Sequence, residues 1–427
     1  FDSSTNTLTL NNYNAGYILF EEFENETVYI VLNGTNIIDS LGGNGNGISC
    51  TNSTTSVPTN MEFTGNSGSS LKIVDFYDGI YTHDGNITIN NCNIEIINTT
   101  DCAIYTIEGK VNINNSQINI DTASYGIGSD NNVVTLNNVV YTASSIGDDA
   151  IYASSFNVDK LTGYFNNVGN ASEDAIFNTV DIAESKLTNS NINVGTANYF
   201  FMGNIFSVKD TTINIDSINT FVSCASVTFD GSTVYIDTIG DDCIPYCQLV
   251  EIKNSDFTVV NGTCYSLTGG VICAKEIDII DSNVDITGTT LCVTGAKIVI
   301  DHSNVHLKSQ YMAAILTTPM DSNSLVLKNT KLTETDYSLY ETILGFDDDD
   351  DTVPIVLYLS EEPADSYLFP STLDSLVDIA LQEAHFVAED NPNPETFDIS
   401  VLYIIIGILS VVGISIAKFD LDLLKNK

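Results

Sequence analysis

The chain repeats an apolar motif roughly every 24 residues, and this repeat limits the possible folds more than any other feature. A repeated isoleucine follows one or two small, acidic or aromatic residues, and successive copies are 24, 23, 24 and 25 residues apart. The clearest copies are at Ile80, Ile104, Ile127, Ile151 and Ile176. Weaker copies follow at Met202, Val222, Ile244, Leu267, Val293 and Ile315. A fixed period of this length is typical of a solenoid, in which each coil contacts only its neighbours.

Inside each repeat, apolar and polar residues alternate strictly. Examples are residues 86–90, 111–114, 212–216 and 283–287. Alternation with β-branched side chains predicts strands, and the Asn, Asp, Gly and Ser between these segments predict turns. Helical periodicity is almost absent from residues 1–338. The sequence therefore predicts an all-β fold, a parallel β-helix with one coil per repeat, isoleucine rows in the core and asparagine rows outside it.

An antiparallel solenoid and a β-propeller are the alternative all-β architectures. A WD-type propeller has repeats of about 40 residues with Trp signals, and this chain contains no Trp. A sandwich built from hairpins would place Asn-Gly or Asp-Gly turns between paired strands, and such turns are few here. These observations favour the parallel β-helix.

The segments at residues 2–10, 28–36, 78–81, 85–89 and 149–152 carry a resemblance to a known family. They are similar to the repeats of bacterial carbohydrate-binding β-helix proteins with a pectate-lyase-like solenoid, and the similarity extends over about 300 residues. The resemblance implies a right-handed parallel β-helix, bound calcium and affinity for plant cell-wall polysaccharides. The chain departs from the family pattern at Cys102 and Tyr125, which stand near the acidic position of two repeats.

The charge balance is strongly acidic. The 427 residues include 56 Asp and Glu against 14 Lys and no Arg, which gives a net charge of −42. Such a surface repels phosphate backbones, so the sequence predicts no nucleic-acid partner. It attracts divalent cations instead.

Acidic residues precede the repeated apolar position in several coils and form the predicted metal site. They are Asp78, Asp101, Asp149, Asp174 and Asp242, with Asp148, Glu173 and Asp241 directly before three of them. Stacked coils would bring these carboxylates to one edge, where a hard cation relieves their repulsion. We therefore predict a Ca²⁺-binding edge centred on Asp148, Asp149, Glu173 and Asp174. The alternative is that the acids cap turns by accepting hydrogen bonds from backbone amides.

Tyrosines recur directly after the repeated apolar position. Tyr81, Tyr105 and Tyr152 share this place in three coils. Tyrosine rings are good platforms for sugar rings, so this row is the predicted ligand-binding site. The alternative is that the rings pack only against one another between coils.

The sequence offers little for catalysis. A lyase of the pectate type uses a strong base, commonly Arg, and the chain has none. The acidic pairs 148–149 and 241–242 have no neighbouring histidine, since the four His are at 83, 302, 306 and 385. We therefore expect a non-catalytic, adhesin-like, carbohydrate-binding protein of the cell surface. A polysaccharide lyase or glycoside hydrolase is the first alternative, and a structural stalk or coat protein is the second.

The nine cysteines follow no disulfide or zinc pattern, since no short spacing is repeated. They are at positions 50, 92, 102, 224, 243, 247, 264, 273 and 292. We predict that most are small buried residues at inward positions.

The C-terminal region predicts a membrane anchor. Residues 399–417 carry no charge and are long enough to cross a hydrocarbon core of about 30 Å. The lysines after this segment favour a cytoplasmic tail at 418–427 and an extracellular β-helix. Residues 393–396, Asn-Pro-Glu-Thr, resemble a degenerate sortase signal, so covalent wall attachment is the alternative.

The remaining boundaries follow from these assignments. Residues 1–71 are predicted as N-terminal coils or a cap, and residues 72–338 as the β-helix repeats. Residues 339–398 form an acidic, proline-containing connector with an aspartate run at 347–351 and a predicted capping helix at 373–386.

Overall fold

The structure is a computed structural model, and the chain divides into two compact units, residues 1–387 and 388–427. The solenoid lies in the first unit. The described residues are 1–21, 23, 26–42, 45–51, 59–169, 174–240, 243–262, 270–288, 292–309, 315–317, 325–335, 343–346, 352–355, 380–381 and 383–388.

Within these residues the chain forms strands and no helix. The first eighteen strands are β1 (Thr7–Asn11), β2 (Asn14–Ala15), β3 (Ile18–Glu21), β4 (Thr27–Asn33), β5 (Thr35–Asp39), β6 (Ile48–Thr51), β7 (Asn60–Gly65), β8 (Ser70–Val74), β9 (Ile80–Thr82), β10 (Ile87–Asn90), β11 (Asn93–Ile97), β12 (Cys102–Thr106), β13 (Val111–Ala123), β14 (Tyr125–Ser129), β15 (Val133–Ile146), β16 (Ile151–Ala153), β17 (Ser155–Val168) and β18 (Ala175–Thr179). The remaining strands are β19 (Glu184–Thr188), β20 (Asn191–Met202), β21 (Ile205–Lys209), β22 (Thr212–Ser223), β23 (Ser226–Asp230), β24 (Thr233–Ile239), β25 (Ile244–Lys253), β26 (Asp256–Gly262), β27 (Ile272–Ile280), β28 (Asn283–Gly288), β29 (Val293–Asp301), β30 (Asn304–Ser309), β31 (Ile315–Thr317), β32 (Leu325–Lys328), β33 (Thr330–Thr335), β34 (Ile343–Phe346), β35 (Thr352–Ile355), β36 (Ala380–Leu381) and β37 (Glu383–Ala388).

The strands stack in three parallel ladders, and the chain visits each ladder once per coil. The first ladder runs through β1, β4, β7, β10, β13, β15, β17, β19, β21, β23, β25, β27, β29 and β32. The second runs through β2, β5, β8, β11, β13, β15, β17, β20, β22, β24, β26, β28 and β30. The third runs through β3, β6, β9, β12, β14, β16, β18, β20, β22, β25, β27, β29 and β31, with backbone hydrogen bonds from Phe221 and Val222 to Cys243 joining β22 to the next coil. The predicted parallel β-solenoid is confirmed, with about 12 turns.

The repeated isoleucines form a continuous row in the third ladder. Ile80 aligns with Ile104, Ile104 with Ile127, and Ile127 with Ile151, and all four are fully buried. The prediction from a constant period is confirmed for these coils.

The same row slips by one residue in the next two coils. Ile151 aligns with Phe177 and not with Ile176, and Phe177 aligns with Phe201 and not with Met202. The coil that leads to Phe177 is longer than the three coils before it, so a constant period misplaces the inward residue.

The predicted row returns at later coils with one further exception. Val222, Ile244, Val293 and Ile315 occupy the row as predicted, and Ile272 takes the place assigned to Leu267. Leu267 itself lies outside the described residues.

The corner between the first and second ladders has the same conformation in nearly every coil. One residue there adopts a positive φ, between 43° and 66°. These residues are Asn12, Gly34, Asn91, Asn115, Asn138, Lys160, Asn189, Asp210, Gly231, Asn254, Asp281, His302 and Asn329. Asn and Asp adopt this left-handed conformation more readily than other residues with a side chain. The corner therefore accounts for part of the high asparagine content.

A row of buried hydroxyls lies directly beside this corner. The first hydroxyl, that of Ser190, accepts from the Leu161 N–H at 3.0 Å. Each of the others accepts a hydrogen bond from the backbone N–H of the hydroxyl residue one coil earlier, at 3.0–3.3 Å. The row consists of Ser190, Thr211, Ser232, Ser255, Ser282, Ser303 and Thr330. It satisfies backbone donors that the turn would otherwise leave buried and unpaired.

We expect Ser255→Ala to destabilise the solenoid by about 1–3 kcal/mol, because it leaves the buried N–H of Ser232 without its acceptor. The Ser255 hydroxyl accepts from that N–H at 3.0 Å and donates to the Lys253 carbonyl at 2.6 Å. Urea denaturation measures the effect, and Thr233→Ala, at an exposed position one coil earlier, is the control. Equal losses for the two variants would show that the hydroxyl row adds no stability.

The middle of the core is filled by phenylalanine. Its rings come from consecutive coils and are fully buried, and several neighbouring centroids are 4.2–6.2 Å apart. The stack consists of Phe156, Phe165, Phe177, Phe200, Phe201, Phe206, Phe221, Phe229 and Phe257. The cysteines are also interior residues, as predicted, since the eight described ones are buried.

Two antiparallel strands cover the last coil. β37 pairs with β30, and β36 pairs with β31. The capping helix predicted at 373–386 is therefore wrong for residues 380–381 and 383–386, which are strands, while residues 371–379 lie outside the described residues. The exposed edge of a final coil presents unpaired backbone groups, which another strand satisfies and a helix does not.

The predicted membrane anchor, its tail, the sortase-like residues and the aspartate run at 347–351 lie outside the described residues. Among the residues that the structure does describe, no helix has the length and apolar character needed to span a membrane.

Candidate functional site

The predicted tyrosine row lies on the outside of the third ladder, on β9, β12, β14 and β16. Tyr81 aligns with Tyr105, Tyr105 with Gly128, and Gly128 with Tyr152. The tyrosines are half-buried, so each presents part of its ring to solvent. The structure thus places all three predicted residues in one row, with a glycine in the third coil.

A fourth tyrosine, which sequence reasoning missed, completes the row. A Cβ atom on Gly128 would lie 2.7 Å from two ring carbons of Tyr105, so the ring of Tyr105 occupies the space above this glycine. Tyr125 lies on the same strand as Gly128, and its ring centroid is 6.5 Å from that of Tyr105 and 6.1 Å from that of Tyr152. Tyr81, Tyr105, Tyr125 and Tyr152 together form the tyrosine surface. In the sequence, the one signal for this arrangement was Gly128, which stands at the repeat position that Tyr105 and Tyr152 occupy in the neighbouring coils.

Asp130 is the carboxylate most closely associated with this surface. The Tyr105 hydroxyl donates a hydrogen bond to Asp130. Burial, followed by this hydrogen bond, raises the pKa of Tyr105, so its phenol remains a proton donor. Burial raises the pKa of Tyr81 and Tyr152, and Asp130 adds to both shifts. Asp130 therefore lies within electrostatic reach of three of the four tyrosines.

The predicted acidic edge is divided between two neighbouring positions. Asp78 and Asp149 lie two residues before the aligned isoleucine of their coils, whereas Asp101 and Asp148 lie three residues before it. Asp174 also stands three residues before its aligned residue, Phe177, and is buried. The remaining predicted ligands, Glu173, Asp241 and Asp242, lie outside the described residues.

Asp78 and Asp149 act as buried caps on the next coil. Asp78 is 5% exposed, and its Oδ1 accepts from the Cys102 N–H at 3.1 Å. Asp149 is 4% exposed, and its Oδ1 accepts from the Ala175 N–H at 2.8 Å while its Oδ2 accepts from Asn178 Nδ2 at 3.0 Å. These contacts agree with the capping alternative for the two residues.

Burial also changes how these acids titrate. Desolvation raises the pKa of Asp78 to about 6 and that of Asp149 to about 7, although both accept stabilising hydrogen bonds. The pKa of Asp148 is also raised, first by desolvation and then by Asp174 and Asp101. Ionising each of these carboxyls is therefore harder than ionising an exposed aspartate.

Among the described residues, one group brings three possible metal-ligand atoms together. The ligand atoms of Asp78, Asp101 and Cys102 lie within 4.8 Å of one another. Ca²⁺ takes six to eight oxygen ligands, and a thiol is a poor one. One Asp78 oxygen already accepts a backbone hydrogen bond, and burial raises the pKa of the Cys102 thiol. The donor set of Asp78, Asp101 and Cys102 does not fit a Ca²⁺ site. The predicted centre at Asp148, Asp149, Glu173 and Asp174 includes Glu173, which lies outside the described residues, so calcium binding there stays a prediction.

Histidines form a separate cluster at the capped end. The rings of His306 and His385 stack with centroids 4.1 Å apart, and His306 Nδ1 lies 3.0 Å from the Asp285 carboxylate. These two histidines could not be paired from the sequence, because most of β37 was predicted as part of a helix. The cluster is on β28, β30 and β37, far along the solenoid from the tyrosine surface.

Comparisons with protein-family models, with curated proteins and with solved structures found no match. The resemblance to bacterial carbohydrate-binding β-helix proteins is therefore supported at the level of the parallel β-solenoid alone.

Proposed function

We propose that this protein is a non-catalytic, carbohydrate-binding solenoid of the cell surface and that the tyrosine surface is its binding site. The observation that carries the proposal is the row of solvent-accessible tyrosine rings on four consecutive coils. Aromatic rings bind the apolar faces of sugars, and their hydroxyls and neighbouring carboxylates bind sugar hydroxyls.

The shape of the surface favours a polymer over a small ligand. Coils of a parallel β-structure recur about every 4.8 Å, so a polysaccharide running along the solenoid axis meets a new coil at each sugar. The tyrosine surface is an open row on one face of the solenoid. An open row suits an extended chain, whereas small ligands are usually held in concave pockets.

Anchoring and calcium are separate parts of the proposal. We infer that residues 399–417 hold the protein in a membrane, because their nineteen uncharged residues match a bilayer span. We do not assign calcium a role in sugar binding at the tyrosine surface, because the Asp78, Asp101 and Cys102 donors fit it poorly.

The test is binding to immobilised polysaccharides, measured by affinity electrophoresis against glucans, mannans, pectins, chitin and chitosan. We expect Tyr152→Ala to weaken binding by about 3- to 10-fold, which corresponds to about 0.5–1.5 kcal/mol for one aromatic contact. Tyr235→Ala is the matched control, because this exposed tyrosine lies on β24 in the second ladder. Binding should be unchanged in EDTA.

Three results would count against the proposal. Retardation by none of the polysaccharides would favour a structural stalk or coat protein. Equal losses for Tyr152→Ala and Tyr235→Ala would place the binding site elsewhere. New reducing ends or unsaturated products would instead show that the protein is a hydrolase or lyase.

A further inference from the structure

We propose that the tyrosine surface selects polysaccharides that carry free amino groups, such as polymers of glucosamine, over neutral and uronic-acid polymers. This inference rests on the proposed function, since it assumes that the surface binds saccharide. It replaces the plant pectins implied by the family resemblance with a ligand of opposite charge.

The first argument is the charge around the rings. The third-ladder segments at residues 77–84, 101–108, 124–131 and 148–154 contain no Lys or Arg. Their one histidine, His83, has its Nδ1 2.7 Å from the carboxylate of Asp84. The acids in these segments are Asp78, Asp84, Asp101, Glu108, Asp130, Asp148 and Asp149. Apart from the buried caps Asp78 and Asp149, these acids are partly or fully exposed, so a ligand on this face meets carboxylates and no lysine or arginine from the same segments.

The second argument is the chemistry of the rings themselves. The negative face of a tyrosine ring attracts an ammonium group, and this attraction grows when a carboxylate lies close by. Asp130 provides that carboxylate, since it accepts from the Tyr105 hydroxyl and lies within electrostatic reach of Tyr81 and Tyr152. A protonated amino sugar can place its ring on tyrosine and its ammonium beside Asp130.

The third argument is the exclusion of acidic sugars. The carboxylate of a uronic acid on the tyrosine surface would lie near Asp130, which accepts from Tyr105, and near Asp148, whose charge reaches Tyr125. Unpaired like charges at an interface reject a ligand more effectively than a missing contact does. The surface thus discriminates by repulsion as well as by attraction.

The repeat of the solenoid strengthens the match to a polymer. Coils recur about every 4.8 Å, and a glucosamine polymer carries one amino group on every sugar. Several weak ammonium contacts along one polymer then add to its affinity, whereas a ligand with a single amine makes only one such contact.

The experiment is isothermal titration calorimetry of the full chain with three hexasaccharides at a pH that protonates the amine. The ligands are glucosamine hexamer, its fully N-acetylated form and galacturonic acid hexamer. We expect the glucosamine hexamer to bind at least 10-fold more tightly than the N-acetylated one, and the galacturonate to give no heat of binding. The preference should shrink as salt is raised.

Three variants separate recognition of the amino group at the tyrosine surface from nonspecific attraction of a cationic ligand to a protein of net charge −42. Asp130→Asn keeps an acceptor for Tyr105 and should reduce the preference for the amino form at least 5-fold. Asp285→Asn removes one exposed charge on β28 and should leave the preference unchanged. Tyr152→Ala, which changes no charge, should weaken binding of both the amino and the N-acetylated hexamer.

The outcomes distinguish this inference from the function on which it rests. If the N-acetylated or galacturonate hexamer binds as tightly as the amino hexamer, the selectivity is wrong and carbohydrate binding stands. If Asp130→Asn and Asp285→Asn behave alike while Tyr152→Ala changes nothing, the amino sugar is held by bulk charge and the inference is wrong. If no polysaccharide or hexasaccharide binds, the proposed function fails as well.

Discussion

Asp149→Asn should stabilise the solenoid at pH 8 and leave its stability nearly unchanged at pH 4. The Asp149 carboxyl is 4% exposed, and burial raises its pKa from 3.8 to about 7. Below pH 3.8 the carboxyl is protonated in both the folded and unfolded chain, so the raised pKa has no cost. As the pH rises towards 7 the unfolded chain releases its proton first, and the free energy of unfolding falls.

The expected size follows from the same shift. One pKa unit corresponds to 1.36 kcal/mol, so ionisation of Asp149 lowers the free energy of unfolding by at most about 4 kcal/mol above pH 7. Asparagine stays neutral at every pH. It keeps an oxygen for the Ala175 N–H, and the Asn178 amide can rotate to accept the new N–H.

Thermal denaturation from pH 4 to pH 8 measures this effect. The melting temperature of the wild type should fall more steeply with pH than that of Asp149→Asn. Asp256→Asn, at an exposed position on β26, is the charge-matched control and should run parallel to the wild type. Parallel curves for all three proteins would mean that Asp149 is ionised in the folded state without penalty.

Phe200→Ala should destabilise the protein by about 3–5 kcal/mol, the usual cost of truncating a fully buried phenylalanine. The Phe200 ring lies between Phe177 of the preceding coil and Phe221 of the following one, with centroids 5.4 Å and 5.2 Å away. It also contacts Phe206, on the next strand of the chain, at 6.2 Å. Truncation therefore opens a cavity that three neighbouring rings share.

Urea denaturation followed by circular dichroism measures this loss. Ile205→Ala, at a 39% exposed position beside Phe206, is the control and should cost less than about 1 kcal/mol. Since coils of a solenoid can unfold separately, the Phe200 variant should also lose amide-exchange protection first in β18, β20 and β22. A loss no larger than that of Ile205→Ala would mean that the stack relaxes to fill the space.

The fold was predictable where coil length is constant. From Ile80 to Ile151 the coils differ by one residue, so the inward position could be read from a period alone. At Phe177 a constant period no longer located the inward residue, because this coil has additional residues at a corner. The sequence does not show which corner contains them. Segments 111–114 and 212–215 show the same alternation of apolar and polar residues, yet the first lies in the first ladder and the second in the second ladder. Alternation predicts a strand but does not show to which ladder the strand belongs.

The tyrosine surface was predictable in part. Tyr81, Tyr105 and Tyr152 share one position relative to the repeat, and position was enough to find them. Tyr125 and Asp130 were missed because their place depends on side chains that reach across coils. The sequence left Asp149 open between metal ligand and turn cap, because it shows the charge of this residue and not its burial or hydrogen bonds.

The strict corner between the first and second ladders has a consequence for what this chain can tolerate. Aligned residues of the first ladder are as close as 21 positions, between Lys186 and Ser207, and as distant as 33, between Tyr29 and Glu62. The extra length in the longer coil falls at the other two corners, residues 40–47 and 52–59. A foreign peptide inserted at such a corner would lengthen one coil and leave the pairing of its neighbours intact. The solenoid is thus a scaffold for display, in which we expect insertions to be accepted at the two corners of variable length.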